Sequence, residues 1–201
     1  MVALYIPSGT GHADFVKKKS RFIGESRYVQ SIEEVRFHVK RLRRVHPYAR
    51  HIVWAFVVGN DRNQQGLSDD GEPHGTAGRP IMDHIVGERL TYTLVTVVRY
   101  FGGIKLGTGG LVSAYARCAR ESILSMPIEL LVIRLPVTMI FDYSLRKQVV
   151  YIIKKYEGII KEEVFNMQIS LTCSISEKKK HEFLQKIQEA CQGNIDISFM
   201  H

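Results

Sequence analysis

Apolar residues recur at three- and four-residue spacing in two stretches of the first half of the chain. Between Ser31 and His46, the residues Ile32, Val35, Val39 and Leu42 form the stripe of an amphipathic helix. Ser31 can cap its start, Glu33 and Glu34 lie beside the positive end of the helix dipole, and Pro47 ends it. Between Leu111 and Met126, the residues Leu111, Ala114, Tyr115, Cys118 and Ser122 share one face of a second long helix, closed by Pro127. Two segments instead carry the β-branched and aromatic content of strands, His51–Val58 and Thr91–Phe101. The second is almost continuously apolar, which predicts a central strand buried on both faces. His12–Lys19 and Arg21–Tyr28 are more weakly patterned extended segments. Ile81–Glu88 predicts a short helix, while Gly59–Pro80 and Gly102–Gly110 read as glycine-bearing loops.

A second pattern begins near Ile128. It predicts a strand at Leu130–Phe141, a helix at Ser144–Tyr156, strands at Gly158–Phe165 and Gln168–Ile175, a helix at Glu177–Cys191 and a last strand at Asn194–Phe199. This β-α-β-β-α-β order is the ferredoxin-like signature, complete in about seventy residues, a length that suits a small domain. The expected fold class is α+β, with one domain over residues 1–127 and a ferredoxin-like one over residues 128–201.

Composition adds little until charge is mapped onto this division. The 201 residues are 45% hydrophobic and 24% charged, which excludes a disordered chain, a collagen-like fibre and a coiled-coil rod. The net charge is +8. Up to Pro127 there are eighteen Lys and Arg against eleven Asp and Glu, a net of +7; after it there are ten against nine, a net of +1. The basic character belongs to the first domain and points to a polyanionic partner. Three scattered cysteines, Cys118, Cys173 and Cys191, argue against a disulfide framework or a cysteine zinc site and for buried thiols. No apolar run reaches the roughly 18 residues of a membrane span, and the N-terminus lacks the basic and apolar regions of a signal peptide. The expectation is a soluble, cytoplasmic protein with no membrane partner.

Three segments carry candidate chemistry. On the helix Ser31–His46, Arg36, Lys40, Arg41, Arg43 and Arg44 lie opposite the apolar stripe, with Arg50 beyond and the run Lys17, Lys18, Lys19 and Arg21 upstream. With almost no acid after Glu34, this face suits a row of phosphates, although a solvated helix face accounts for it equally well. In SDDGEPHGTAGRP (Ser68–Pro80), Asp69, Asp70 and Glu72 crowd three carboxylates into four positions, with His74 close by. Such a group can hold a divalent cation through oxygen, or raise one carboxyl pKa for acid–base work. Alternatively, its carboxylates cap backbone N–H groups or pair with Arg79 and Arg99. In RYFGGIKLGTGGL (Arg99–Leu111), Gly107, Gly109 and Gly110 open a helix whose free N–H groups suit an anion, with Arg99 and Lys105 adding charge. Tight helix–strand packing would also explain these glycines. The segment matches neither the dinucleotide nor the P-loop fingerprint.

KKSRFIG (Lys18–Gly24), DDGEPHGTAGRP (Asp69–Pro80) and RYFGGIKLGTGGLVSAY (Arg99–Tyr115), with ARHIVWAF (Ala49–Phe56), resemble the signature of the IMPACT/YigZ family. The resemblance covers the first 127 residues by motif and the remainder by layout. It implies an N-terminal domain of the ribosomal-protein-S-five second-domain type, shared with domain four of elongation factor G and with small-molecule kinases. For the C-terminal domain it implies similarity to domains three and five of elongation factor G. Eukaryotic relatives of this kind act in translational control under amino-acid starvation, through an additional N-terminal domain that this sequence does not contain, so that partner is not carried over.

Two functions compete. One is a translation-associated regulatory protein that binds RNA or a ribosome-associated surface without catalysis, through Arg36, Lys40, Arg43, Arg44, Arg99, Lys105, Gly107, Gly109 and Gly110. The other is an enzyme acting on a phosphorylated or nucleotide-like small molecule, with Asp69, Asp70, Glu72 and His74 as catalytic candidates and Asp69, Asp70 and Glu72 as ligands of a divalent cation. A protein partner on the near-neutral C-terminal domain is a further expectation. The first is favoured because charge is concentrated on one helix and one N-terminal run.

Overall fold

The computed structural model describes residues 3–199. Its chain divides into two units, residues 1–131 and 132–201. The first contains β1 (Tyr5–Pro7), β2 (Gly11–Lys17), β3 (Ser20–Tyr28), α1 (Ile32–Val45), β4 (His51–Val58), β5 (Gln64–Ser68), α2 (Gly78–Gly87), β6 (Thr93–Tyr100), α3 (Thr108–Leu124) and β7 (Ile128–Leu130). Five strands form an antiparallel sheet in the order β2-β3-β6-β4-β5. As its continuous apolar run predicts, β6 is central, and only Tyr100 within it escapes full burial. Such runs are typical of parallel sheets; this sheet is antiparallel, and the run exists because helices cover both faces. Val53, Ala55, Val57, Val95 and Val97 point towards α2 and α3. The alternate residues Ile52, Phe56, Val58, Leu94 and Val98 point towards α1.

The α1 helix begins as its sequence predicts: Ser31 is extended, and its hydroxyl accepts from the Glu34 N–H. The strand β5, by contrast, lies within the predicted loop Gly59–Pro80. It is an edge strand of sequence QQGLS, largely exposed, with no apolar alternation to reveal it. Gly66 is required there, since a Cβ would stand 2.5 Å from the Phe56 ring. The three-residue strands β1 and β7 pair with each other. That pairing puts Ile128–Leu130 in the first unit and shortens the predicted strand Leu130–Phe141.

In the second unit, β8 (Arg134–Phe141), α4 (Arg146–Lys155), β9 (Ile159–Phe165), β10 (Ile169–Ser176), α5 (Lys180–Cys191) and β11 (Ile195–Phe199) follow the predicted β-α-β-β-α-β order. Their antiparallel sheet runs β11-β8-β10-β9. One face supplies Val137, Met139, Phe141, Ile169, Leu171, Cys173 and Ile175 to a core closed by Val149, Ile153, Phe183 and Ile187 from the helices. All three cysteines are free and buried, and burial pushes the Cys118 thiol up to about 12. No helix of the described residues is long and apolar enough to cross a membrane.

The approach of α3 to the sheet leaves no room at Gly11, where a Cβ would stand 1.9 Å from the Ser122 carbonyl oxygen. Gly11→Ala should cost about 1–3 kcal/mol in urea unfolding, the range for overpacking. Gly109→Ala, with nothing within 4 Å of the new methyl, should be neutral or stabilise by up to about 1 kcal/mol.

Candidate functional site

Three chain segments meet at one end of the five-stranded sheet. The pairs Lys17↔Ser20, Arg21↔Tyr100 and His51↔Arg99 bring together the β2–β3 turn, the end of β6 and the start of β4. Gly102 passes directly under that turn, where a Cβ would lie 2.0 Å from the Lys19 carbonyl oxygen. The loop after β5 reaches the same end, because Ile52 N–H donates to the Asp70 carboxylate at 2.5 Å and a His51 Nδ1 contact joins the Asp70 carbonyl at 2.8 Å.

Within this loop the three carboxylates diverge. Asp69 accepts from the N–H groups of Gly75, Ala77 and Gly78 at 2.8, 3.1 and 2.8 Å. Its burial alone would raise the pKa, but the bonds from Gly75, Gly78 and Ala77 prevail and hold the carboxyl below its ordinary value. Asp70 pairs with Arg43 from α1. Glu72 turns inward, where Arg99 Nη1 donates to its Oε1 at 2.5 Å and the Tyr115 hydroxyl donates to the same oxygen at 2.7 Å. Both side chains of this ion pair are at least nine-tenths buried. The guanidinium of Arg99 is also flanked by the rings of Phe22 and Phe101, at 5.6 and 5.7 Å. Burial, then the neighbouring Glu72 charge, drives the Tyr115 pKa far up, so its hydroxyl keeps the proton it donates.

This geometry corrects several expectations. Asp69, Asp70 and Glu72, expected to converge on a divalent cation, diverge instead, each facing a different set of donors. Among the described residues no group of three or more His, Cys, Asp or Glu is placed to hold a metal. As candidate acid–base groups the same carboxylates are already engaged, and His74 stands out in solvent, 3.8 Å from Asp69. The backbone-capping reading holds for Asp69 and the Arg99 pairing for Glu72, whereas Arg79 pairs with Asp83 instead. Arg99 is not available to an external anion. The basic face of α1 is also partly neutralised from outside the helix: Arg41 pairs with Glu25 of β3, and Arg43 with Asp70.

Several cations stay outward without an acidic partner among the described residues. Arg36, Lys40 and Arg44 are exposed and form no ion pair among the described residues. Near the glycine loop, Lys18, Lys19 and Lys105 are exposed, and Arg50 lies over the Phe101 ring at 6.0 Å. Gly107, at φ 77°, caps α3 without a side-chain bond, and Gly109 and Gly110 lie in its first turn. Lys17 reaches this helix through Ser113 Oγ at 3.1 Å. The sequence identified Tyr115 only as part of an apolar face. Its hydroxyl, which needs a partner when buried, was the signal for the Glu72 contact.

The Impact N-terminal domain model matches residues 18–123, and a domain of unknown function (DUF1949) matches residues 139–194. An IMPACT family member of Haemophilus influenzae is 37% identical over 185 residues, covering 91% of this chain and 90% of the relative. The IMPACT family member YigZ of Escherichia coli is 32% identical over 182 residues, covering 90% and 89%. The IMPACT family member YvyE of Bacillus subtilis is 31% identical over 188 residues, covering 93% and 86%. A solved structure described as the crystal structure of a hypothetical protein is 30% identical, with a TM-score of 0.71, covering 100% of this chain and 98% of that one.

Removing one partner of a buried ion pair strands the other, so Glu72→Ala should cost about 3–5 kcal/mol in urea unfolding, whereas His74→Ala should leave the midpoint unmoved. Asp69 stabilises the fold fully above its ordinary value of 3.8, and that contribution is lost as pH falls through the lower folded value. Asp69→Asn should therefore flatten the acid limb of a stability–pH curve below about pH 4.

Proposed function

The chain belongs to the IMPACT family, and from that membership and the basic surface of its first unit we propose that it binds RNA, including RNA exposed on a ribosome, as a regulatory protein and without catalysis. Family membership supports a regulatory, translation-associated role in general terms. The observation that carries the RNA reading is the exposed row Arg36, Lys40 and Arg44 on α1, which has no ion-pair partner among the described residues. The lysines at the sheet end, Lys18, Lys19 and Lys105, extend the positive surface beside the open first turn of α3. Closely spaced cations of this kind gain affinity by releasing counterions condensed on a polyanion.

The proposal includes action in the cytoplasm. It also includes a likeness of the first unit to the ribosomal-protein-S-five second domain and of the second unit to domains three and five of elongation factor G, and a protein partner for the near-neutral second unit. An enzyme of phosphorylated small molecules is the weaker reading, because the carboxylates it requires accept internal bonds.

Labelled single-stranded RNA should bind the full chain with an affinity that falls steeply as salt rises. Reversing charge at Arg36, Lys40 and Arg44 together should lower the slope of log affinity against log salt by about 2 if each meets one phosphate. An unchanged slope and affinity would remove this surface from the proposal.

A further inference from the structure

The outward face of α1 carries aromatic surface that the fold does not use. Phe37 is 66% exposed, and Tyr48, just past the helix, is 90% exposed. At 3.6 residues per turn, Lys40 and Arg44 fall on the same outward arc as Phe37, with Arg36 at its margin. Val35 and Leu42 occupy the opposite, buried side. Among aromatic rings of the described residues, Phe37 meets the edge of His38 at 5.5 Å, and Tyr48 has no ring partner. Neither ring adds to a core. Glu33 and Glu34 lie back in the first turn, leaving the later turns to cations.

A purely electrostatic contact with phosphates has no need of exposed rings. Rings interleaved with cations match the chemistry of unpaired nucleic acid, whose bases present free faces for stacking while its backbone meets Lys and Arg. Paired RNA hides those faces within the helix. We infer that this face binds single-stranded RNA, with Phe37 and Tyr48 stacking on bases and Arg36, Lys40 and Arg44 holding the backbone. The inference rests on the RNA-binding reading above and adds to it the strand state and the contact that recognises it.

The test uses fluorescence anisotropy on the full chain with three labelled probes: an oligouridylate, an abasic ribose-phosphate strand of the same length, and an RNA duplex. The oligouridylate should bind roughly tenfold or more tightly than the abasic strand, as stacking on two rings allows. The double change Phe37→Leu and Tyr48→Leu should remove most of that preference while leaving the salt slope and duplex binding as they were. Phe37→Trp should retain the preference. Both positions are exposed, and an unchanged thermal melt would establish that the variants fold. Equal binding of the abasic strand, or a preference that survives the double change, overturns the inference while RNA binding itself stands. No binding of any probe overturns both readings and leaves the face to an acidic protein partner.

Discussion

Glu72 is drawn out of solvent by two donors, Arg99 and Tyr115, and its burial governs how the loop after β5 is folded. Desolvating a carboxylate and a guanidinium together is costly, and the pair persists only where other contacts share the load. Here the Tyr115 hydroxyl shares the carboxylate oxygen, and the Phe22 and Phe101 rings flank the guanidinium. One side chain from a polar loop thereby joins the end of β6 to the second turn of α3. With Glu72 held inward, Asp69 lies against the backbone that leads into α2, and Asp70 against β4 and Arg43. A segment that reads as a ligand cluster is instead a brace between both faces of the sheet.

The same arrangement sorts charge. Glu25, Asp69, Asp70 and Glu72 are largely buried and accept bonds from the interior or from the inner edge of the cationic face. Arg36, Lys40, Arg44, Lys18, Lys19 and Lys105 remain in solvent. The inward acids are matched by Arg41, Arg43, Arg99 and backbone N–H groups, so they do little to offset the unpaired outward cations. A polyanion meeting this unit experiences the outward cations at close range, while the inward acids are screened by their own partners.

The second unit is built on a different economy. Its strand β10 alternates cleanly: Ile169, Leu171, Cys173 and Ile175 point towards the two helices, and Ser170, Thr172, Ser174 and Ser176 point away. Among its described residues no ion pair is buried as Glu72 and Arg99 are, and its cohesion is that of an ordinary apolar core.

Local signals in the sequence determined the helices and most strands, because helix caps, the 3.6-residue apolar stripe and the two-residue alternation of β10 are written in neighbouring positions. They also determined which face of α3 is buried and that β6 is central. The edge strand β5 was illegible, since its partners impose it and its own residues are mostly polar. The candidate site was legible as a list of residues but not as chemistry. Whether Asp69, Asp70 and Glu72 converge on an ion or diverge onto Gly75–Gly78, Arg43 and Arg99 depends on contacts between positions as far apart as Glu72 and Tyr115. Likewise, Glu25 precedes α1 by a whole strand end, so its pairing with Arg41 was invisible to charge counting along the helix. Only tertiary structure decides such questions, because an ion pair forms across space, and sequence proximity reports it only when both partners share one element.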